Sequence, residues 1–434
     1  MNNTTIGDLP EDVLVEILSR LPCYKYVSEC KCVSKRWCSL MSDPSFFGRF
    51  LCLQSDHKRT QIIRTLINRD GVEFLARLSS SGKPLTPLFE RLVSFHHLKE
   101  EPIVVGTYND LVLCCASNYY QRDYYICNPY TCQWVPLPPP PQLCEFAPVG
   151  FICDLPYYQY RKDDDNHDQK RQCIQLNADF RYRVVRLITD RRNISCKFKV
   201  QIFSSETGEW TESIVSTQSL VRYGDINSHM NFPYNGVLYW MSHDCTFLIG
   251  VDPFMITDRN STSSPSTSSC STPDDSIDHY RCRFIEFDQR DENYDLECVG
   301  VNRGCLQMLD YDSENHVLSV LELNEEEISA GAGKFCLDQR VRDYYALDWE
   351  MVPEDDDAHE YLVFLLPFDP NDDGTLYLHI RDNSRIGPIF TYNIHTGESS
   401  KIVEKISLER YCFYPLALPW WPTPVPRLPV RLLR

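Results

Sequence analysis

Residues 9 to 50, LPEDVLVEILSRLPCYKYVSECKCVSKRWCSLMSDPSFFGRF, carry apolar residues at helical spacing in greater number than so short a segment can bury within itself. Pro10 stands where a first helical residue belongs, its missing N–H costing nothing there, and Glu11 and Asp12 follow in the first turn, where the helix dipole favours acids. Val13, Leu14, Ile17, Leu18 and Leu21 form an apolar stripe wider than about 100°, and Leu21-Pro22 ends the helix. A second amphipathic stretch holds Val27, Cys30, Cys32, Val33, Trp37, Leu40 and Met41, with Lys31, Lys35 and Arg36 on other faces, and Ser42-Asp43-Pro44 stops it. The pattern predicts two or three short helices. A unit of roughly 45 residues is at the edge of what one core can hold up, so its spare apolar surface implies a docked partner or packing on the rest of the chain.

The order of anchors separates these options. Leu9-Pro10-Glu11-Asp12, Glu16-Ile17-Leu18, Leu21-Pro22, Cys32-Val33-Ser34-Lys35-Arg36-Trp37, Leu40 and Ser42-Asp43-Pro44-Ser45-Phe46 together resemble the F-box, in the form common in plant F-box proteins. The resemblance implies a three-helix F-box at 8–50 that binds a Skp-type adaptor and, through it, the cullin and RING subunits of a ubiquitin ligase. Carried over, the adaptor contacts fall on Leu9, Pro10, Val13, Ile17, Leu21, Pro22, Val33 and Trp37. Ser28 departs from the pattern, standing where the family usually has an aliphatic residue.

Charge bounds the partners of the remainder. Lys plus Arg number 43 against 61 Asp plus Glu, and residues 1 to 54 hold six of each, so the whole net charge of −18 lies beyond the helical module. Such a body does not seek nucleic acid or an anionic membrane. The basic end, Arg427, Arg431 and Arg434, is too short to change this and reads as a loose tail at 416–434. No apolar run reaches the roughly 18 residues of a membrane span. With a polar start, MNNTTIGDLPED, the 20 cysteines read as reduced thiols in cytoplasm or nucleus, mostly small core hydrophobes. The spacings of Cys30/Cys32, Cys114/Cys115 and Cys127/Cys132 lack the form of a zinc site, and neither metal nor other cofactor is expected.

From about residue 100 the pattern changes to short strands broken by turn residues. One unit recurs: Ile126-Cys-Asn-Pro-Tyr-Thr-Cys-Gln-Trp134, Ile202-Phe-Ser-Ser-Glu-Thr-Gly-Glu-Trp210 and Thr391-Tyr-Asn-Ile-His-Thr-Gly-Glu-Ser399, each a strand, a turn and a returning strand. Gly208 and Gly397 sit where a hairpin needs positive φ, and Trp134 and Trp210 share an offset. Weaker copies pair Val237–Trp240 with Ile249–Pro253, Phe284–Asp288 with Glu297–Val301, and Met308–Asp312 with Val317–Val320. A radial array of such hairpins closes into a β-propeller, which removes free sheet edges; an irregular β-sandwich is the alternative.

Gly106–Cys114, Tyr125–Pro129, Tyr182–Arg186, Phe203–Gly208 and Asn235–Trp240 resemble, in order, the kelch-like F-box-associated domain of plants, in which this part recognises the target protein. The fold expected is therefore α+β and multidomain: F-box at 8–50, linker and entry at 51–100, and an all-β propeller-like domain at 101–415. Leu137–Gln142, with four consecutive prolines, reads as a stiff connection, Asp163–Asp168 as a solvated acidic loop, and 257–277 as a disordered serine-rich loop. No nucleophile elbow, HExxH or phosphate-binding glycine loop occurs, and the 11 His are scattered. No catalytic residue is assigned. A propeller hydrolase with acids drawn from distant blades, or a stand-alone propeller scaffold uncoupled from any ligase, remain the other readings; the target-binding residues have no signature.

Overall fold

The computed structural model describes residues 6, 9–56 except 23, 63–73, 84–117, 121–154 except 146, 158–161, 173–176, 180–188, 194–222, 226–256 except 244 and 245, 280–288, 294–302, 305–312, 317–323, 332–336, 341–346, 362–369, 374–381, 386–407, 413–418 and 421–428 except 426. The serine-rich stretch, the acidic Asp163–Asp168, His316, Arg431 and Arg434 lie outside the described residues.

Four helices open the chain: α1 Glu11–Leu18, α2 Tyr24–Lys31, α3 Lys35–Ser42 and α4 Pro44–Asp56. Pro10 is the residue before α1 rather than its first, extended at ψ 152°, and its carbonyl accepts the Leu14 N–H at 3.0 Å. The Ser34 hydroxyl caps α3 by accepting the Trp37 N–H at 3.1 Å. Ser42-Asp43-Pro44 does stop α3, but the same residues start α4, so the expected three helices are four. Asp43 accepts the Ser45 N–H at 2.8 Å and its hydroxyl at 2.5 Å, and Pro44 takes the first helical position, where proline is favoured. The Ser45 hydrogen bonds hold the Asp43 carboxyl below its usual pKa.

Within the expected linker and entry, 51–100, the chain forms a strand, β1 Ile63–Asn68, and a helix, α5 Thr86–His96, that the sequence analysis does not name. Leu88, Phe89 and Leu92 give it a buried face at helical spacing.

The strands then fall into successive antiparallel sheets. β2 Ile103–Tyr108, β3 Leu111–Cys115, β4 Tyr124–Asn128 and β5 Gln133–Pro136 form the first. β6 Val149–Cys153 is joined by a side hairpin, β7 Tyr158–Arg161 with β8 Cys173–Leu176, to β9 Tyr182–Ile188, β10 Ile194–Ser204 and β11 Glu209–Arg222, and the second sheet runs β11-β10-β9-β6. The third combines β12 Ile226–Tyr234, β13 Val237–Ser242, β14 Phe247–Ile256 and β15 Tyr280–Asp288. The fourth holds β16 Tyr294–Asn302, β17 Cys305–Asp312, β18 Val317–Leu323 and, past β19 Ala332–Cys336, β20 Val341–Ala346. The fifth is β21 Leu362–Phe368, β22 Thr375–Arg381, β23 Ile386–Asn393 and β24 Ser399–Ser407. Strands β2, β6, β12, β16 and β21, the first of each sheet, neighbour one another in chain order, which is the arrangement of propeller blades and not of two facing sheets.

The three strong repeats are hairpins, β4–β5, β10–β11 and β23–β24. Gly208 and Gly397 both take φ 72°, and Cys132 occupies the same turn position at φ 50°. A β-carbon there costs roughly 1–2 kcal/mol; the Asn128 side chain helps hold that turn by accepting the Tyr130 and Thr131 N–H groups, as Asn393 does for His395 and Thr396. The pair expected at Phe284–Asp288 and Glu297–Val301 is not a hairpin: β15 belongs to the third sheet and β16 begins the fourth. One blade's last strand and the next blade's first have the same spacing as a hairpin, so local pattern cannot separate them. β19 joins the third sheet as its fifth strand, parallel to β15, although it lies in the chain between two strands of the fourth.

Arg186, on β9, is fully buried at the seam of the first two sheets. It donates to the Tyr124 hydroxyl at 3.1 Å, to the carbonyls of Gln142 (2.8 Å) and Gln121 (3.3 Å), and to Gln201 Oε1, while its guanidinium lies over the Tyr124 and Trp210 rings. The proline-rich connection is part of this seam, since Pro138 accepts the Trp210 indole N–H at 2.7 Å.

The expected loose tail is instead bound. β25, Phe413–Leu418, pairs antiparallel with β1 from Ile63↔Leu418 to Asn68↔Phe413 and lies alongside β2. A domain boundary at 415/416 would cut this strand, in which Leu416 and Ala417 are buried.

Gly150 faces the third sheet so closely that a β-carbon would lie 2.4–2.9 Å from Leu238 side-chain carbons, whereas Gly48, inside α4, has nothing within 4 Å. Gly150→Ala is expected to destabilise by about 1–3 kcal/mol through overpacking, and Gly48→Ala to stabilise the module by about 0.5–1 kcal/mol through helix propensity. Chemical denaturation of the two variants beside the parent chain checks both signs.

Candidate docking site on the helical module

The core of the module consists of Leu14, Leu18, Val27, Trp37, Met41, Phe46, Phe47, Phe50 and Leu51. Its members on α1, Leu14 and Leu18, are 0% and 3% exposed. Val13 and Ile17, one residue earlier in each turn and so rotated by about 100°, are each 42% exposed. The apolar stripe of α1 is thus divided lengthwise. One half closes the core and the other half faces outward.

Pro10 lies three residues before Val13 and shares its face by helical spacing; it is exposed, as is Pro22, while Leu9 is half-buried. Val33, in the turn before α3, is 65% exposed. Leu21 is half-buried and packs against the core. Trp37 is the departure: at 9% exposure it is a core residue, turned inward by its position in the first turn of α3. Ile6 and Tyr26, which the sequence reading did not single out, are also exposed apolar residues of this module, at 53% and 46%.

Polar contacts brace α1 without covering that face. Arg36 donates to the Leu9 carbonyl at 2.8 Å and lies 3.8 Å from Glu11, tying the entry of α1 to α3. Glu16 pairs with Arg20 at 2.5 Å and also with Arg49 of α4. These pairs are substantially exposed, so each contributes at most about 1 kcal/mol. They orient the helix more than they stabilise it.

The thiols divide by location. Cys114, Cys115, Cys127 and Cys153 are buried, but most of the described cysteines, including Cys30, Cys52, Cys132, Cys144, Cys196, Cys282 and Cys305, are only partly buried, so the expected core role holds for a minority; burial pushes the Cys115 thiol up to about 12. Cys32 and Cys38 are exposed instead. Among the described residues no three His, Cys, Asp or Glu side chains come together to hold a metal, and no helix is long and apolar enough to cross a membrane.

Comparison with known proteins matches the two parts separately. The F-box-like family model matches residues 6–54, and the model described as F-box protein At3g26010-like, beta-propeller, matches residues 178–414. The chain is similar to F-box only protein 8 of Arabidopsis thaliana, 53% identical over 249 residues that cover 55% of this chain and 74% of that protein. It is also similar to F-box protein At3g26010 of the same plant, 25% identical over 239 residues, 55% of this chain and 50% of that one. With F-box protein At5g07610, also of Arabidopsis thaliana, it shares 33% identity over 143 residues, 30% of this chain and 31% of that one. The chain thus spans about a third to a half of the length of these last two relatives. The propeller match is to the At3g26010-like kind and carries no kelch label.

The divided stripe has a direct consequence for stability. Val13→Asp and Ile17→Asp are expected to change stability by no more than about 0.5 kcal/mol, whereas Leu14→Ala costs about 2–5 kcal/mol. Hydrogen exchange of α1 and α3 in the three variants separates the two halves of the helix.

Proposed function

We propose that this chain, which belongs to the F-box proteins with an At3g26010-like β-propeller, is the substrate-recognition subunit of a Skp–cullin–RING ubiquitin ligase. The observation that carries the reading is the outward half of the α1 stripe: Val13 and Ile17, each 42% exposed on a helix whose other apolar half already fills the core. A helix face of this kind is what an adaptor groove takes up, reading apolar anchors one turn apart. Leu9, Pro10, Val13, Ile17, Leu21, Pro22 and Val33 are the proposed contacts, with Trp37 supporting them from the core.

The contribution to the reaction is proximity. The β domain holds a target protein, and the module hangs it on the ligase beside the ubiquitin-charged enzyme. Tethering replaces a bimolecular encounter by an effective concentration. No side chain of this chain then needs to act as acid, base or nucleophile, and the proposed role is non-catalytic. Cytoplasm or nucleus, where such ligases meet their targets, is the proposed location. The rival reading, a propeller scaffold without ligase coupling, rested on Ser28; that residue is exposed on α2, so its polarity takes nothing from the module core.

The test is co-expression of the full chain with a Skp-type adaptor, read by size exclusion and titration. A 1:1 complex is expected, and Ile17→Asp should weaken it by at least about 30-fold, the size of an interface hot spot of ~2 kcal/mol. Ile17 suits this better than Leu21, whose substitution would also disturb the core it packs on. Undiminished binding by Ile17→Asp, or no complex from folded parent chain, would overturn the reading.

A further inference from the structure

The last described residues of the chain touch both of its parts. From β25 onward every few residues make a new attachment. The Thr107 hydroxyl of β2 donates to the Pro415 carbonyl at 2.8 Å, Ala417 N–H donates to the Asn109 carbonyl at 2.8 Å, and the Tyr130 hydroxyl donates to the Ala417 carbonyl at 2.8 Å. Trp421 then leaves the propeller and enters the helical module. Its ring meets Tyr24 of α2 at 5.1 Å between centroids and Phe46, Phe47 and Phe50 of α4 at 6.5, 5.0 and 5.7 Å, and Lys31 lies over it at 5.3 Å. Burial lowers the pKa of Lys31.

Two residues later the chain is back on the propeller. Thr423 is 6% exposed and Asp110 1%. The Asp110 carboxylate accepts the Thr423 N–H at 2.7 Å, its hydroxyl at 2.6 Å and the Asn128 side-chain N–H at 2.8 Å, and Asn128 also donates to the Thr423 carbonyl at 2.8 Å. Val425 and Leu428 then pack on the cluster shared by the first two sheets. A tryptophan is therefore held out into the module by a segment fixed on the propeller on either side of it.

We propose that the described residues between 413 and 428 form a brace that locks the helical module on the propeller in one orientation, with Trp421 as the positioning residue at the module and the Asp110–Thr423 contact as the anchor at the propeller. A swinging module would spread a bound target over many positions. A braced one presents it at a fixed distance and direction from the adaptor, and only this last meaning rests on the ligase reading. The brace goes beyond what either matched part implies, since it depends on a segment past residue 414, where the propeller match ends.

The experiment uses the full chain without adaptor: small-angle scattering for the distribution of distances, and hydrogen exchange for α1–α4 and β25. Trp421→Ala and, separately, Asp110→Ala with Thr423→Ala are compared with the parent. The second variant leaves the indole available to the module, so it can loosen the brace without opening the module core. The expected result is a larger maximum dimension and a broader distribution in both variants, with faster exchange in β25 and the α1–α4 amides still protected in the second. Unchanged scattering from both would overturn the brace and assign the coupling to the approach of α4 to β8. Loss of α1–α4 protection in Trp421→Ala, with unchanged scattering from the double variant, would overturn it too, reducing Trp421 to a core residue of the module. Adaptor binding is measured apart, so failure of the ligase reading and failure of the brace give different results.

Discussion

The pairing of β1 with β25 is the constraint on which the rest of the molecule depends. Its six-residue register joins Ile63–Asn68 to Phe413–Leu418, two segments about as far apart in the chain as any two elements of the β domain. The blades between them are local structures, built largely of antiparallel neighbours that form without reference to the rest. Their ring order does not follow from local pairing. Loop-closure entropy rises only as the logarithm of loop length, about 0.6 kcal/mol per doubling, so a long closure costs little more than a moderate one. The ladder and the buried Leu66, Ile67, Leu416 and Ala417 must outweigh it. Once they do, β25 lies beside β2 and the first sheet is held against the end of the chain.

Legibility in the sequence followed the range of the interaction. The hairpins at Thr131, Thr207 and Thr396 were readable because a turn is decided by four or five adjacent residues, and the positive φ of Gly208 and Gly397 is a local demand. Cys132 at the same position shows that the demand outlasts the glycine. The β15–β16 assignment failed for the opposite reason, since whether two adjacent strands pair or separate is decided by the sheets on either side. The helix α5 was readable from Leu88, Phe89 and Leu92 but is only 11 residues long and sits in a stretch of mixed composition. The role of the C-terminal segment was not readable at all. Nothing local distinguishes Trp421 from a solvent-exposed tryptophan until Tyr24, Phe46, Phe47 and Phe50 surround it.

On the helical module the apolar stripe of α1 was legible in outline, and the burial of Trp37 was not. An apolar stripe too wide for its core announces that some of it faces outward, but not which residues. Helical rotation decides that: the side chains at 14 and 18 join the module core, those at 13 and 17 do not, and the exposures of 0% and 3% against 42% and 42% are the outcome. Val33 and Trp37 were both expected among the adaptor contacts; Ser34 caps α3 and starts the helix between them, and Val33 is 65% exposed where Trp37 is 9%. A surface side chain and a core one thus lie on either side of a single capping residue.

Asp110 shows how a polar contact gives the terminal segment its register. Apolar packing of Val425 and Leu428 is tolerant of a shift by a residue; a buried carboxylate is not. Burial pushes the Asp110 carboxyl up, against the hydrogen bonds from Thr423 and Asn128 that pull it down. A slip of the segment by one residue would remove both Thr423 donors and leave a buried acceptor short of partners, at a cost of about 1–3 kcal/mol. The alternative placements are therefore penalised even where they bury as much apolar surface. Trp421, two residues away, inherits that register, and so the indole reaches the aromatic pocket of the module at one position of the chain only.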